Sequence, residues 1–261
     1  MEKSEIYQAL EDDFTSTFVR ELMPGILHNF ANPLNGIMGR SKLLQRRMEE
    51  TVEKIKDQYP ETASALQNEF QRISNDIHSI NKESGSFFEI FRDASGKFYA
   101  LAGKGEEGIN ISRLLAAEMR FSDFYLEFKH KITKNIQCDS YEPDIKGNRA
   151  ELSLVFWRLI RFAMSRALNS EKKELFLTTR HDHENIFVLM KYSGVAVSAD
   201  DGNMVSQYFQ GAIQDMEAAE MEKGVLLSLM ILKKYSAQIQ FSTQDGFNTI
   251  SITMPYAVST G

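Results

Sequence analysis

The sequence predicts an α+β protein: a long helical hairpin that pairs into a dimeric four-helix bundle, followed by an α/β sandwich. Apolar residues recur at helical spacing over about 5–57 and again over about 62–91. Glycines and charges cluster over 95–108. Beyond 109, short alternating runs interleave with helical ones, the mixture expected of strands covered by a helical layer. These breaks divide the chain into a hairpin at 1–94, a linker at 95–108 and a second domain at 109–261.

The first helix is read from the four-residue recurrence of Ile6, Leu10, Phe14, Phe18 and Leu22, continued by Ile26, Phe30, Leu34 and Ile37 and then by Leu43, Leu44, Met48, Val52 and Ile55. Arg46, Arg47, Glu49, Glu50 and Lys54 fill its other face, and Tyr59-Pro60 ends it. Pro33 lies inside this pattern and predicts a bend there. The second helix is expected from about Thr62. Leu66, Phe70, Ile73, Ile77, Ile80, Ser84, Phe87 and Phe91 alternate spacings of four and three, a heptad seam broken only by Ser84. One hairpin cannot bury both stripes, so two hairpins are expected to pair as a homodimer. His78 falls beside the seam and reads as a packing or surface residue.

In the second domain, Ile109-Asn110-Ile111 reads as a short strand, and Ser112 as the cap of a helix reaching about Phe121. Phe128 to Ile136 alternates as a strand. Gly147-Asn148 leads into a helix from about Ala150 to Leu168. Strands follow at Glu174–Thr179 and Ile186–Tyr192, a helix at Gly224–Tyr235, and strands at Gln238–Thr243 and Asn248–Pro255 joined by a turn at Asp245-Gly246. Residues 199–222 are polar and Met-dotted, and fit either a helix or a loose loop.

The chain has 261 residues, 43% hydrophobic and 25% charged, an ordinary globular composition. A net charge of -6 argues against a nucleic-acid partner. The single cysteine, Cys138, excludes an internal disulfide and a cysteine metal cluster. No leader is read at the N-terminus, and no apolar run approaches the roughly 20 residues of a membrane span. A cytoplasmic location without membrane association is therefore expected. His181-Asp182-His183 looks superficially like a metal pair but sits in a polar turn, and no metal site is expected.

The chemistry concentrates at His28-Asn29-Phe30-Ala31-Asn32-Pro33-Leu34. Its order and spacing resemble the phospho-acceptor box of two-component histidine kinases, roughly His-Glu/Asp-Leu/Ile-x-Asn/Thr-Pro-Leu. The resemblance implies His28 as phospho-acceptor, Asn29 in place of the acid beside the imidazole, and Asn32 as the residue positioning water for dephosphorylation of a receiver. A helix-surface amide bonding locally is the alternative for Asn32. The order of elements after the hairpin is similar to the family's ATP-binding domain. The lead-in Ile145 to Leu152 and the closing Asn248 to Pro255 match its edges.

Between those edges the family pattern breaks. Where the resemblance expects an Asn-Leu-x-x-Asn-Ala core, the chain has Arg158-Leu159-Ile160-Arg161-Phe162-Ala163. A phenyl ring at Phe162 cannot ligate Mg²⁺. The aspartate expected to accept from adenine is Tyr192, and only Gly194 of that motif remains. Of the third, glycine-rich motif only Gly224 remains, with Glu222 adding a negative charge where phosphates would lie. An alignment slipped by a few residues would bring in Asp200 or Asp201 instead.

Three readings follow. A histidine phosphotransferase would pass a phosphoryl group between His28 and the aspartate of a response-regulator receiver. The receiver would supply Mg²⁺, and this chain would need no cofactor. It would resemble the dimeric phosphotransferases of phosphorelays, which pair such a hairpin with a degenerate ATP-binding fold. An active kinase with divergent motifs would bind Mg-ATP. A pseudokinase scaffold would bind a receiver or kinase without chemistry.

Overall fold

The computed structural model describes Val19 and residues 23–102, 105–216 and 221–256, with the side chains at 24–26, 28, 29 and 102 outside the description. The apolar recurrence at Ile6, Leu10, Phe14, Phe18 and Leu22 lies outside the described residues. The chain divides into two compact units, Met1–Phe98 and Tyr99–Gly261.

In the first unit, α1 spans Met23–Gln58 and runs through Pro33 without a break. Proline lacks the N–H that would bond the carbonyl four residues back, at position 29. After α1, α2 spans Pro60–Ala65 and α3 spans Gln67–Ala102. The second helix thus begins at Pro60, where proline at the first helical position costs nothing, and is interrupted at Leu66. It also runs through most of the segment read as linker. The single Gly96 costs about 1 kcal/mol in a helix, and the seven-residue spacing from Ser84 to Phe91 to Phe98 carries the pattern past it.

The heptad seam separates into two sets. Leu27, Leu34 and Ser41 on α1, and Ala63, Ile77 and Ser84 on the returning chain, are buried at seven-residue multiples. Phe30, Ile37 and Leu44 on α1 and Leu66, Ile73, Ile80 and Phe87 opposite are also seven apart, yet all are 39–57% exposed. An Asn81 Nδ2–Gln45 Oε1 bond of 2.8 Å links α3 to α1 across the hairpin. His78 is exposed, as expected.

In the second unit, β1 (Glu107–Ile109) pairs antiparallel with β3 (Ile145–Gly147). Helix α4 spans Ile111–Phe121. Its cap is Asn110, whose side chain accepts from the Arg113 N–H, and not Ser112. Ser112 is buried instead, bonding the Glu142 carboxylate through its backbone N–H at 2.8 Å and its hydroxyl at 2.7 Å. A 3₁₀ turn at Ser122–Phe124 leads into α5, Leu126–Lys131. The strand expected over Phe128–Ile136 is therefore half helix. Only β2, Thr133–Gln137, is extended, because there the chain pairs in parallel with β4.

Helix α6 spans Arg149–Leu168, capped by Asn148, which accepts from the N–H groups of Ala150 and Glu151. Strands β4 (Glu174–His181) and β5 (Asn185–Ser193) follow. Helix α7 spans Ala199–Gln210, so the ambiguous segment opens as a helix, started by Ser198 and ended by left-handed Gly211. Helix α8 spans Lys223–Lys234, and β6 (Gln238–Gln244) and β7 (Phe247–Pro255) close the unit. The five strands lie in the order β2-β4-β5-β7-β6, antiparallel except for β2-β4. Alternate residues of β4, β5 and β7 are buried beneath the helices, and α6 packs against α4, α8, β4 and β5. Among the described residues no helix is long and apolar enough to cross a membrane.

Candidate functional site

The acceptor box lies in the first turns of α1. His28 and Asn29 fall on that helix, and their side chains lie outside the described ones. Asn32 and Pro33 are exposed, while Leu27 and Leu34 are buried on the hairpin face. Residues 28 and 32 are one helical turn apart, so one face of α1 carries both. Leu27 and Leu34, buried on either side, anchor this part of the helix.

The second constellation forms where α6, β5 and the start of α8 meet. Phe162 and Tyr192 are 3% and 0% exposed, and their rings meet edge-on with centroids 6.2 Å apart. The Arg166 guanidinium lies 4.3 Å from the Phe162 ring centroid and donates to the carbonyls of Val195 and Ala196 at 2.9 and 3.0 Å. Burial pushes the Tyr192 hydroxyl up to about 12, opposed by the Arg166 charge. That hydroxyl meets no hydrogen-bond partner among the described residues.

Gly194 has φ +115°, a conformation open to glycine, and a Cβ there would run into the Arg166 carbonyl. The Asn248 amide donates to the Gly194 carbonyl at 2.7 Å and is itself held by Thr243 at 2.9 Å. Sequence reading did not find Arg166 or Asn248. The signal for Arg166 was its place four residues after Phe162 on one helix. For Asn248 there was none, since its partner is 54 positions away.

Glu222 does not stand as an unpaired charge: it pairs with Arg158 of α6. Its carbonyl accepts from the N–H groups of Val225 and Leu226, two donors at the start of α8. A Cβ at Gly224 would meet the Arg158 guanidinium, so glycine there admits the arginine. Asp200 and Asp201 sit in the first turn of α7, a favourable place for carboxylates at a helix start.

His181 bonds Asp139 through Nδ1 at 2.6 Å. Asp182 accepts from the N–H groups of Glu184 and Asn185 at 2.8 Å each, the turn expected there. Those two bonds lower the Asp182 carboxyl below its usual range. No group of three or more His, Cys, Asp or Glu side chains that could hold a metal occurs among the described residues.

The chain is 24% identical over 232 residues to the aerobic respiration control sensor protein ArcB homolog of Haemophilus influenzae, an alignment covering 88% of this chain. This chain is related to the two-component histidine kinases. It spans 64% of the length of that curated relative. No protein-family model matches it. Among solved structures it is similar to the catalytic domain of histidine kinase ThkA, with 13% identity, a TM-score of 0.46, and coverage of 59% of this chain and 97% of that one. It is also similar to the Acinetobacter baumannii histidine kinase AdeS, with 14% identity, a TM-score of 0.44, and coverage of 78% and 98%. Full-length ShkA, solved in complex with AMPPNP, gives 13% identity, a TM-score of 0.45, and coverage of 93% and 47%.

Proposed function

We propose that this histidine-kinase-like chain is a histidine phosphotransferase acting as a homodimer, with His28 exchanging a phosphoryl group with the aspartate of a response-regulator receiver domain. The observation that carries the reading is the edge-on Phe162–Tyr192 pair. It fills, with buried aromatic carbon, the two positions where the resemblance calls for a metal-ligating amide and an adenine-binding carboxylate. Phe162 offers no oxygen to Mg²⁺. Arg158 and Glu222 neutralise one another at the start of α8, where phosphate would be received. This donor set does not fit a Mg-nucleotide.

In the transfer, the lone pair of a neutral His28 nitrogen attacks the phosphorus of the receiver's aspartyl phosphate. The N–P bond forms as the P–O bond to the carboxyl breaks, the carboxylate leaves, and the imidazole sheds the proton of its other nitrogen to water. An imidazole with an ordinary pKa of about 6.5 is largely neutral at pH 7 and needs no strong base. Asn29 suits this chemistry, since it can orient the ring by a hydrogen bond and cannot remove a proton. Charge neutralisation and in-line placement do most of the work of phosphoryl transfer, and the receiver's Mg²⁺ supplies the first. Asn32, one turn along, is assigned the placing of water in a separate reaction, the hydrolysis of the receiver's aspartyl phosphate to aspartate and inorganic phosphate. The dimer follows from the outer heptad stripe, whose seven apolar residues are regularly spaced and exposed in one hairpin. We place the protein in the cytoplasm, beside its receiver.

The test offers receiver domains charged with ³²P-acetyl phosphate to the full chain, and Mg-[γ-³²P]ATP in a parallel reaction. Acid-labile label is expected on the wild type from a charged receiver, none on His28→Ala, and none from ATP on either. Label from ATP that depends on His28 would make the chain a kinase. Absence of transfer from every receiver would leave the scaffold reading.

A further inference from the structure

Successive residues of a strand point to opposite faces of its sheet. In β4 and β5, Leu175, Leu177, Met190 and Tyr192 point beneath the helices and are buried. Their neighbours Phe176, Thr178, Leu189 and Lys191 occupy the other face and are half-buried or exposed. These four residues line an open cleft of about 480 Å³, bounded at the β6–β7 turn by Gln244 and Asp245. Its volume falls in the range of small-molecule sites. Lys191 and Tyr192 are consecutive in β5, so the cleft and the Phe162–Tyr192 contact lie on opposite sides of the sheet.

Two cations gather beside this cleft without an acid to hold them. The Lys191 Nζ lies 4.5 Å from the Phe247 ring centroid and 5.8 Å from that of Phe176. The Lys172 Nζ lies 4.4 Å from the same Phe247 centroid. The Phe176 and Phe247 rings meet edge-on with centroids 5.9 Å apart, so a single aromatic cluster carries both ammoniums. Asp245 lines the cleft and Glu174 shares its face, yet neither lysine forms an ion pair among the described residues. A ring quadrupole attracts an ammonium but carries no net charge. Two like charges on one ring therefore still repel each other, and salt screens that repulsion only in part at such a separation. A ligand bringing two negative charges would relieve it.

We infer that this cleft binds a small organic dianion: a flat apolar body bearing either a phosphate monoester or two adjacent carboxylates. Phe176 and Leu189 give the body an apolar floor. Lys191, at the edge of that floor, and Lys172, beside it on the Phe247 ring, take the two charges of the head. The Thr178 hydroxyl and the Gln244 amide are further donors in the lining. A single carboxylate would satisfy one lysine only. A neutral ligand would leave both lysines as they are. The site belongs to the C-terminal unit alone and does not depend on His28 chemistry.

Titrations of the full chain followed by saturation-transfer difference NMR would use phenyl phosphate and phthalate as dianions, benzoate as the monoanion and benzamide as the neutral body. At least one dianion is expected to bind, about fivefold or more tighter than benzoate. Raising the salt from about 0.05 to about 0.5 M should weaken it. Lys191→Gln and Lys172→Gln should each weaken the dianion about fivefold, while Lys191→Arg, which keeps the charge, should retain it. Both lysines are exposed, so the substitutions leave the fold intact, which circular dichroism verifies. A preference between phenyl phosphate and phthalate would identify the head. Failure of both dianions would overturn the assignment, as would benzamide binding as tightly as they do, or dianion binding unchanged in Lys191→Gln.

Discussion

Replacing Ile73 and Ile80 together by glutamate tests the outer stripe of the hairpin. The two side chains are 46% and 47% exposed, so each has about half of its surface still to bury. Full burial of an isoleucine is worth roughly 1.5–3 kcal/mol, so the remainder is about 1 kcal/mol per residue. Two residues in each of two protomers give about 4 kcal/mol, before the added cost of bringing carboxylates into an apolar interface. At about 1.4 kcal/mol per tenfold, the dimer should weaken by about a thousandfold or more. In an isolated hairpin the same changes are surface substitutions worth about 0.5 kcal/mol or less. Sedimentation velocity over a concentration series reads the first quantity, and urea unfolding of the monomeric fraction reads the second. A wild type that stays monomeric at tens of micromolar would refute the reasoning, as would a variant with an unchanged dissociation constant.

Phe162→Ala should cost about 3–5 kcal/mol in urea unfolding of the C-terminal unit, because a fully packed phenyl is removed from between Tyr192 and Arg166. Gly194→Ala should lower the same midpoint by about 1–3 kcal/mol, through a left-handed backbone and a collision with the Arg166 carbonyl. Tyr192 is held at about 12 in the folded chain against 10.0 ordinarily. Its contribution is complete below pH 10 and is lost as the unfolded phenol ionises between pH 10 and 12. Stability should fall by about 3 kcal/mol across that window relative to Tyr192→Phe, which lacks the titration. Arg158→Ala should change stability by no more than about 1 kcal/mol, its partner Glu222 being largely exposed.

Periodicity and capping residues made much of the architecture legible. Helix α6 with its Asn148 cap, the strands β4 to β7 and the turn at Asp245-Gly246 lie within a residue or two of where local pattern places them. The misreadings have a common cause. Phe128 and Ile132 read as alternate positions of a strand, but they are buried from opposite sides of a helix-to-strand change that a nonlocal pairing with β4 imposes. Ser112 looked like a cap because serine usually is one; its hydroxyl is taken by Glu142, 30 positions away. Within the site, the departure of Phe162 and Tyr192 from the motif that the sequence resembles could be read from spacing. Their mutual contact, the role of Arg166 and the orphaned hydroxyl of Tyr192 depend on tertiary geometry and left no local trace.

The Phe162–Tyr192 contact also bears on how freely this domain can change. Introducing an asparagine at 162 alone would place an amide against the Tyr192 ring and open a void where the phenyl was. Introducing an aspartate at 192 alone would set a carboxylate in a fully buried position against the Phe162 ring edge. Under the proposed phosphotransferase reading, each step alone is costly and yields no complete site, so a nucleotide pocket would be reached only by concerted replacement. On that reading the aromatic pair acts as a ratchet against a return to nucleotide binding.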